Sequence, residues 1–284
     1  MDHCGNGRKS YQIGDKPREK RIVSLGIYFA SNVVMSNVMV FQSAALDRPD
    51  WVTQCLVSVK KWAAANGFAY QFVGDELFDL LPERYRYQVA GRGPILADLG
   101  RLILLESHLK RHGGRVIWLD ADVLSVDAQW RPEFGSDSLF GEECWVQYDP
   151  QRGWRAYINP HNAYLSFTTD SVVLPFLRHV TQSIIERADP AQIAPQMVGP
   201  KLIKHLHSLA DFTLAPEVGA LSPVLLEELV TQPNQAVKLY RAKSRPPLKM
   251  INLCHSLVES APNHHEFLRA FLMCPQVHLS KLDV

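Results

Sequence analysis

The chain has 284 residues, 46% of them hydrophobic, and its 30 basic and 29 acidic side chains leave a net charge of +1. That length and apolar content are enough for one large buried core, whereas a balanced charge gives no electrostatic footprint for nucleic acid. No apolar run approaches the roughly 20 residues that span a bilayer, which excludes an ordinary transmembrane helix and leaves peripheral membrane contact compatible with the sequence.

In chain order, residues 1–20 are polar and charged, without the apolar centre of a signal peptide, and read as a flexible tail ahead of a single domain at 21–284. A first strand is expected at 21–30. An amphipathic helix follows at 51–66, closed by Asn66-Gly67, then a second strand at 69–73 ending at Gly74-Asp75. The stretch 77–93, rich in Arg and Tyr, reads as irregular. From Pro94 to His112 the apolar residues Ile95, Leu99, Leu102, Leu105 and Leu109 keep the helical period. Gly113-Gly114 closes that helix with the glycines a left-handed cap requires, and Lys110, Arg111 and His112 complement the dipole in its last turn. Strands are then expected at 115–119, 139–148 and 161–168, with a turn at Gln151-Arg152-Gly153, and helices at 172–187 and 198–209. Beyond Leu221 the pattern weakens, and Arg245-Pro246-Pro247 marks a loop. Strands alternating with helices predict an α/β fold with a mostly parallel central sheet flanked by helices. Five scattered cysteines (Cys4, Cys55, Cys144, Cys254 and Cys274) form neither a metal knuckle nor a disulfide framework. They point to a cytoplasmic setting, and a secreted effector without a cleavable signal would look the same.

The chemistry concentrates at the end of one strand. Val116-Ile117-Trp118-Leu119 is a continuous apolar run, read as a buried strand, and it delivers Asp120-Ala121-Asp122. In an extended chain residues i and i+2 share a side, so both carboxylates face one point, where hard oxygen donors suit Mg²⁺ or Mn²⁺. Upstream, Asp98 and Arg101 stand one turn apart on the helix, on a face other than the apolar one; by itself such a pair is ordinarily a solvated surface ion pair. The order is therefore Asp-x-x-Arg on a helix, Gly-Gly, a short strand, then Asp-x-Asp, and four elements in sequence are far more specific than any one.

This stretch, from Ala97-Asp98-Leu99-Gly100-Arg101 through Gly113-Gly114 to Leu119-Asp120-Ala121-Asp122-Val123, resembles the DxD glycosyltransferases of the GT-A fold, and most of all glycosyltransferase family 32, with its mannosyltransferases and glucosylating toxin domains. Asn162-Ala163-Tyr164-Leu165-Ser166 before a helix, and Gly199-Pro200 at the start of another, fit the same family, so the likeness spans residues 90–210. It implies a GT-A domain and a metal-dependent transferase that moves a hexose from a nucleotide-diphosphate sugar, UDP favoured over GDP, to a glycan, lipid or protein acceptor with retention. It further implies that Asp122 ligates Mn²⁺ or Mg²⁺, that Asp120 holds the ribose or shares the ion, and that Asp98 and Arg101 hold the donor sugar's hydroxyls. By analogy of fold, Tyr28, Ser31 and Asn32 at the end of the expected first strand would touch the base or ribose. His255, within Asn252-Leu253-Cys254-His255-Ser256, is the candidate for a further metal ligand. Lys243, Arg245 and Lys249 would close over the diphosphate, Asp127 reads as a cap, and His264-His265 as surface. The chain departs from the family at Ala97 and Gly100, and its opening run Ile-Val-Ser-Leu-Gly-Ile-Tyr-Phe lacks the usual His and Trp, which leaves the base open. Two other readings compete: a haloacid-dehalogenase-like phosphatase with Asp120 as nucleophile, disfavoured by Leu124 and by the late position of the motif, and a non-catalytic nucleotide-sugar-binding module.

Overall fold

The computed structural model describes residues 37–210, 212–243, 245–255 and 263–283. The strand expected at 21–30, and with it Tyr28, Ser31 and Asn32, lies outside these residues.

The chain builds a six-stranded sheet in the order β2–β1–β3–β6–β5–β7, formed by β1 (Val38–Ser43), β2 (Ala69–Val73), β3 (Arg115–Leu119), β5 (Ser138–Asp149), β6 (Gly153–Thr168) and β7 (Thr213–Ala215). β1 pairs in parallel with both β2 and β3, and β5 with β7, while β6 runs antiparallel to β3 and β5. Three of the five pairings are thus parallel, as expected of an α/β sheet. β1 is an element that the sequence pattern leaves unassigned; its Val-Met-Val-Phe run is too short to stand out from the apolar residues before it.

All five residues of β3 are buried, and their alternation explains the layers. Val116 and Trp118 point to a core shared with Leu102 and Leu105 of α3 (Gly93–His112), Leu174 and Leu177 of α4 (Val173–Arg187) and Ile203 of α5 (Pro200–Ala210). Ile117 and Leu119 point the other way, to Val59, Trp62 and Ala63 of α1 (Asp50–Ala65). A strand covered on both faces has no solvent side, hence its unbroken apolar sequence. α3 ends as expected: Gly113 adopts φ 69° and donates its N–H to Leu109 at 2.8 Å. The stretch read as irregular instead holds a 3-10 turn (Asp75–Leu80) and α2 (Glu83–Val89). Leu77, Tyr85 and Val89 are buried there, and the Tyr85 hydroxyl donates to the Ile95 carbonyl at 3.0 Å. Tertiary burial makes these turns, which show no helical period of their own.

A second, three-stranded sheet joins β4 (Val123–Ser125), β9 (Met250–Asn252) and β8 (Val218–Ala220), in the order β4–β9–β8. With α6 (Pro223–Val230), α7 (Gln235–Arg241), α8 (His264–Met273) and α9 (Pro275–Leu279), it shows that the weakly patterned C-terminal third is well structured. A third core, with Leu225, Leu229, Val237, Ile251 and Phe271, lies here. Its elements are short, so few residues repeat and little periodicity shows. His264 is buried, against the expectation of a surface His pair, while His265 is exposed. No helix among the described residues is long and apolar enough to cross a membrane.

The ladder between β5 and β6 is broken at one place. Between Phe140↔Leu165 and Gly141↔His161, β5 advances one residue while β6 advances four. The excess, Asn162, Ala163 and Tyr164, leaves the β5 ladder, and such bulges re-aim side chains. Gly141 has no room for a Cβ because the His161 ring lies against it. That ring is buried and pinned at both nitrogens, Nε2 bonding the Val218 carbonyl at 2.9 Å and Nδ1 accepting from Ala163 N–H at 3.2 Å. Gly141→Ala should therefore lower the free energy of unfolding in urea by about 1–3 kcal/mol; a variant as stable as the parent would show that the bulge gives way freely.

Candidate active site

Arg101, on the third turn of α3, is the centre of the site. Only 6% of it is exposed. Its Nη1 donates to Asp120 Oδ1 at 2.8 Å and to the Asn162 carbonyl at 2.9 Å, its Nε donates to the Ala97 carbonyl at 3.2 Å, and its Nη2 lies 3.1 Å from Asp98 Oδ1. The guanidinium carbon also sits 5.1 Å from the centroid of the Trp118 ring. A planar fork with five donors is what such a multiple junction requires; an ammonium would lose most of it. The Asp98–Arg101 pair is therefore no solvated surface pair, since both residues are buried.

Asp98 has a second partner, the Asn162 side-chain amide, at 2.8 Å. Its other oxygen lies against Gly199, where a Cβ would come within 2.7 Å of Oδ2; the Gly of the Gly-Pro element is thus needed for close approach. Burial pushes the Asp98 carboxyl up to about 6; Arg101 and the Asn162 hydrogen bond oppose the rise and the charge of Asp120 adds to it.

Asp120 follows β3 directly. Besides Arg101, its Oδ1 accepts the Trp118 indole N–H at 2.7 Å. Its main chain is held on both sides, N–H to the Ala163 carbonyl at 2.9 Å and carbonyl to the Gln42 amide at 3.1 Å, with Gln42 held in turn by the Tyr70 hydroxyl at 3.1 Å. From here the chain does not continue extended, as the sequence suggests: Val123 N–H returns to the Asp120 carbonyl at 3.1 Å, closing a turn. The two aspartates still share a field. Burial and then the Asp120 charge push the Asp122 carboxyl above its ordinary range, against the hydrogen bond it accepts from His255 N–H.

That hydrogen bond, 2.8 Å to Asp122 Oδ2, comes with a second from Leu253 N–H to the Asp122 carbonyl at 3.0 Å. The segment leaving β9 thus does reach Asp122, as expected of the stretch around His255, and meets it through the main chain. The His255 ring packs on Trp51, with centroids 5.4 Å apart. Among the described residues no three His, Cys, Asp or Glu side chains converge as a ready ligand set. The expected lid cations are engaged elsewhere, Arg245 in a salt bridge to Glu142 and Lys249 bonded to Asp127 at 2.8 Å. Asp127 caps as expected, its Oδ1 accepting from Gln129 N–H at 3.0 Å and Trp130 N–H at 3.1 Å.

Asp98, Arg101, Asp120 and Asp122 are therefore brought together, while Tyr28, Ser31 and Asn32 lie outside the described residues. Four positioning residues are missing from the sequence-derived site: Asn162, Trp118, Gln42 and Gly199. Asn162 and Gly199 carry a signal, standing in the two flanking stretches that fit the family likeness; Trp118 and Gln42 act through contacts that no local pattern encodes. Asp98 and Asp120 meet one guanidinium and Asp122 lies in the field of Asp120, and the excess negative charge in a half-buried site is the situation a divalent cation relieves. The donor set fits such an ion.

No protein-family model and no curated protein matches the chain. Among solved structures it is similar to a glycosyltransferase involved in glycosylation of the major capsid of PBCV-1, with a TM-score of 0.46 and 10% identity over 83% of this chain and 98% of that one. It is also similar to the galactosyltransferase LgtC in complex with donor and acceptor sugar analogues, with a TM-score of 0.38 and 15% identity over 86% of this chain and 99% of that one. Similarities this remote leave the chemistry to be read from the side chains.

A raised carboxyl pKa has a defined consequence for stability. Asp98 binds its proton more tightly folded than unfolded, so its contribution is full below about pH 4 and is lost as pH rises through about 6. Between those limits the parent protein should lose on the order of 2 kcal/mol more than Asp98→Asn, measured by urea unfolding at each pH. Parallel curves would show that Asp98 is not strained by burial.

Proposed function

We propose that the chain is a metal-dependent glycosyltransferase of the GT-A type, moving a hexose from a nucleotide-diphosphate sugar, UDP-sugar in preference to GDP-sugar, with retention. The observation that supports this most is the Arg101 junction, which ties the helix-borne Asp98 to Asp120 at the carboxyl end of a central parallel strand, where α/β sheets bind nucleotides. The likeness to glycosyltransferase family 32 in the order Asp98, Arg101, Asp120, Asp122 points the same way.

In this reading Asp122, with Asp120, holds Mn²⁺ or Mg²⁺. Such an ion, when bound, supplies a Lewis acid for the charge that builds on the departing diphosphate. Asp120 is locked through Oδ1 by Arg101 and Trp118, which leaves Oδ2 for the ion or the ribose. Asp122 is held at Oδ2 by His255 N–H and at its main-chain carbonyl by Leu253 N–H, and its carboxylate would help hold the ion. Asp98 accepts hydrogen bonds from donor-sugar hydroxyls, with Gly199 leaving room for its Oδ2. Arg101 positions both carboxylates and offsets one of their charges. Preorganised dipoles and charges of this kind cost no reorganisation when the glycosidic bond breaks.

Thermal unfolding with UDP, GDP and their sugars, with and without Mn²⁺, tests this. A ligand at about a hundred times its Kd stabilises by roughly 2.7 kcal/mol. We expect a Mn²⁺-dependent rise in Tm with one nucleotide, abolished in Asp122→Ala; no rise with any nucleotide would overturn the reading.

A further inference from the structure

Downstream of the bulge, β5 and β6 form a long hairpin whose two faces differ. Cys144 and Val146 enter the C-terminal core together with Trp154 and Ala156. The alternate residues therefore point the other way, and the register sets them in three facing rungs: Glu143 with Asn159, Trp145 with Tyr157, and Gln147 with Arg155. Trp145 and Tyr157 belong to none of the buried clusters and are only half-buried. The Trp145 indole N–H donates to Gln147 Oε1, two residues along the same face, at 3.1 Å.

The rung nearest the bulge belongs to the site. Glu143 stands two residues along β5 from Gly141, whose partner His161 directly precedes Asn162, and Cys254 feels the charges of Asp122, Glu143 and Asp120. Burial pushes the Glu143 carboxyl up to about 7, against a hydrogen bond from Asn159 and the charge of Lys204 on α5. Along β6, Asn159 precedes Asn162, the partner of Asp98, by about 10 Å, and Tyr157 by about 16 Å, at 3.3 Å per residue.

We infer that this hairpin face is the acceptor subsite and that its occupant is a saccharide of at least two rings. The inference rests on the glycosyltransferase function proposed for the Arg101 site. A half-buried aromatic pair, bordered by carboxylate, amides and guanidinium, matches a sugar ring, which has an apolar C–H face and a rim of hydroxyls. The polypeptide and lipid alternatives fit less well. An extended peptide would add to the outer edge of β5 or β6, which beyond the bulge pair only with each other, and not to the face between them. A lipid tail would seek apolar surface without the polar rungs. Glu143 stands at the end nearer the donor and accepts the hydrogen bond of the reacting hydroxyl. Trp145 and Tyr157 carry the following ring, so a disaccharide should bind better than its monosaccharide.

The test uses the full chain with Mn²⁺, the sugar of whichever nucleotide raises Tm, and lactose, maltose, cellobiose and mannobiose beside glucose, galactose and mannose. Nucleoside diphosphate release is measured, along with tryptophan emission during saccharide titration. At least one disaccharide should stimulate release more than its monosaccharides and alter the emission. Trp145→Ala and Tyr157→Ala should each raise the disaccharide KM by about tenfold, well beyond any change in donor KM, with Trp145→Phe restoring much of the loss. The inference is overturned if disaccharides do no better than monosaccharides, if their KM is indifferent to both variants, or if only a detergent-dispersed lipid alcohol or a peptide stimulates release. Failure of the donor reading looks different: no nucleoside diphosphate is released under any condition, while a disaccharide-specific emission change, lost in Trp145→Phe, would still reveal the saccharide site. With neither signal, both fall.

Discussion

A single buried guanidinium holds this site together. Arg101 joins a helix, the end of the central strand β3 and the bulge of β6, by way of two carboxylates and two carbonyls. Buried charges are tolerated only when paired and saturated with hydrogen bonds, and removal of one partner leaves a stranded charge costing about 3–5 kcal/mol. The junction is therefore a constraint as well as a contact: α3 cannot rotate, and the bulge cannot relax, without unpairing a charge. It also leaves the site unbalanced, since one guanidinium meets Asp98 and Asp120 while the charge of Asp120 bears on Asp122. The excess shows in the Asp98 and Asp122 carboxyls, both held above their ordinary range.

The two sheets supply complementary halves of that arrangement. The six-stranded sheet fixes Asp120 from both sides of its main chain, and the small sheet β4–β9–β8 returns the chain to Asp122. Because β4 follows the aspartate turn directly, its pairing with β9 brings the 253–255 segment to the Asp122 carboxylate. The link between the C-terminal third and the aspartate turn thus runs through three-residue strands and two N–H bonds. On the other side, the β6 bulge aims Asn162 at both Asp98 and Arg101 and continues into the hairpin face inferred to receive the acceptor.

Fold and site are legible in the sequence where period and chemistry coincide. α3 is readable from five leucine and isoleucine positions and a Gly-Gly stop, β3 from an apolar run with no solvent side, and the four charged residues from their order. The burial of Asp98 and Arg101 is not, because a helical i,i+3 pair looks the same whether its face meets water or another strand. The turn at Asp120–Val123 is hidden for a similar reason, since an Asp-Ala-Asp triplet is compatible with either an extended chain or a turn. β1 and the C-terminal strands are too short for an alternation to declare itself. Glu143, Trp145 and Tyr157 depend on cross-strand register, which a hairpin sequence specifies only once its bulge is known.

If Asp120 and Asp122, with Arg101 behind them, form a site for one divalent cation beneath a nucleotide diphosphate, the ion itself is the most direct reporter. Electron paramagnetic resonance of Mn²⁺ titrated into the chain, with and without UDP, counts it. One bound ion per chain is expected, held more tightly with the nucleotide and lost in Asp122→Ala. Equal binding by parent and variant, or none in the presence of any nucleoside diphosphate, would contradict such a site.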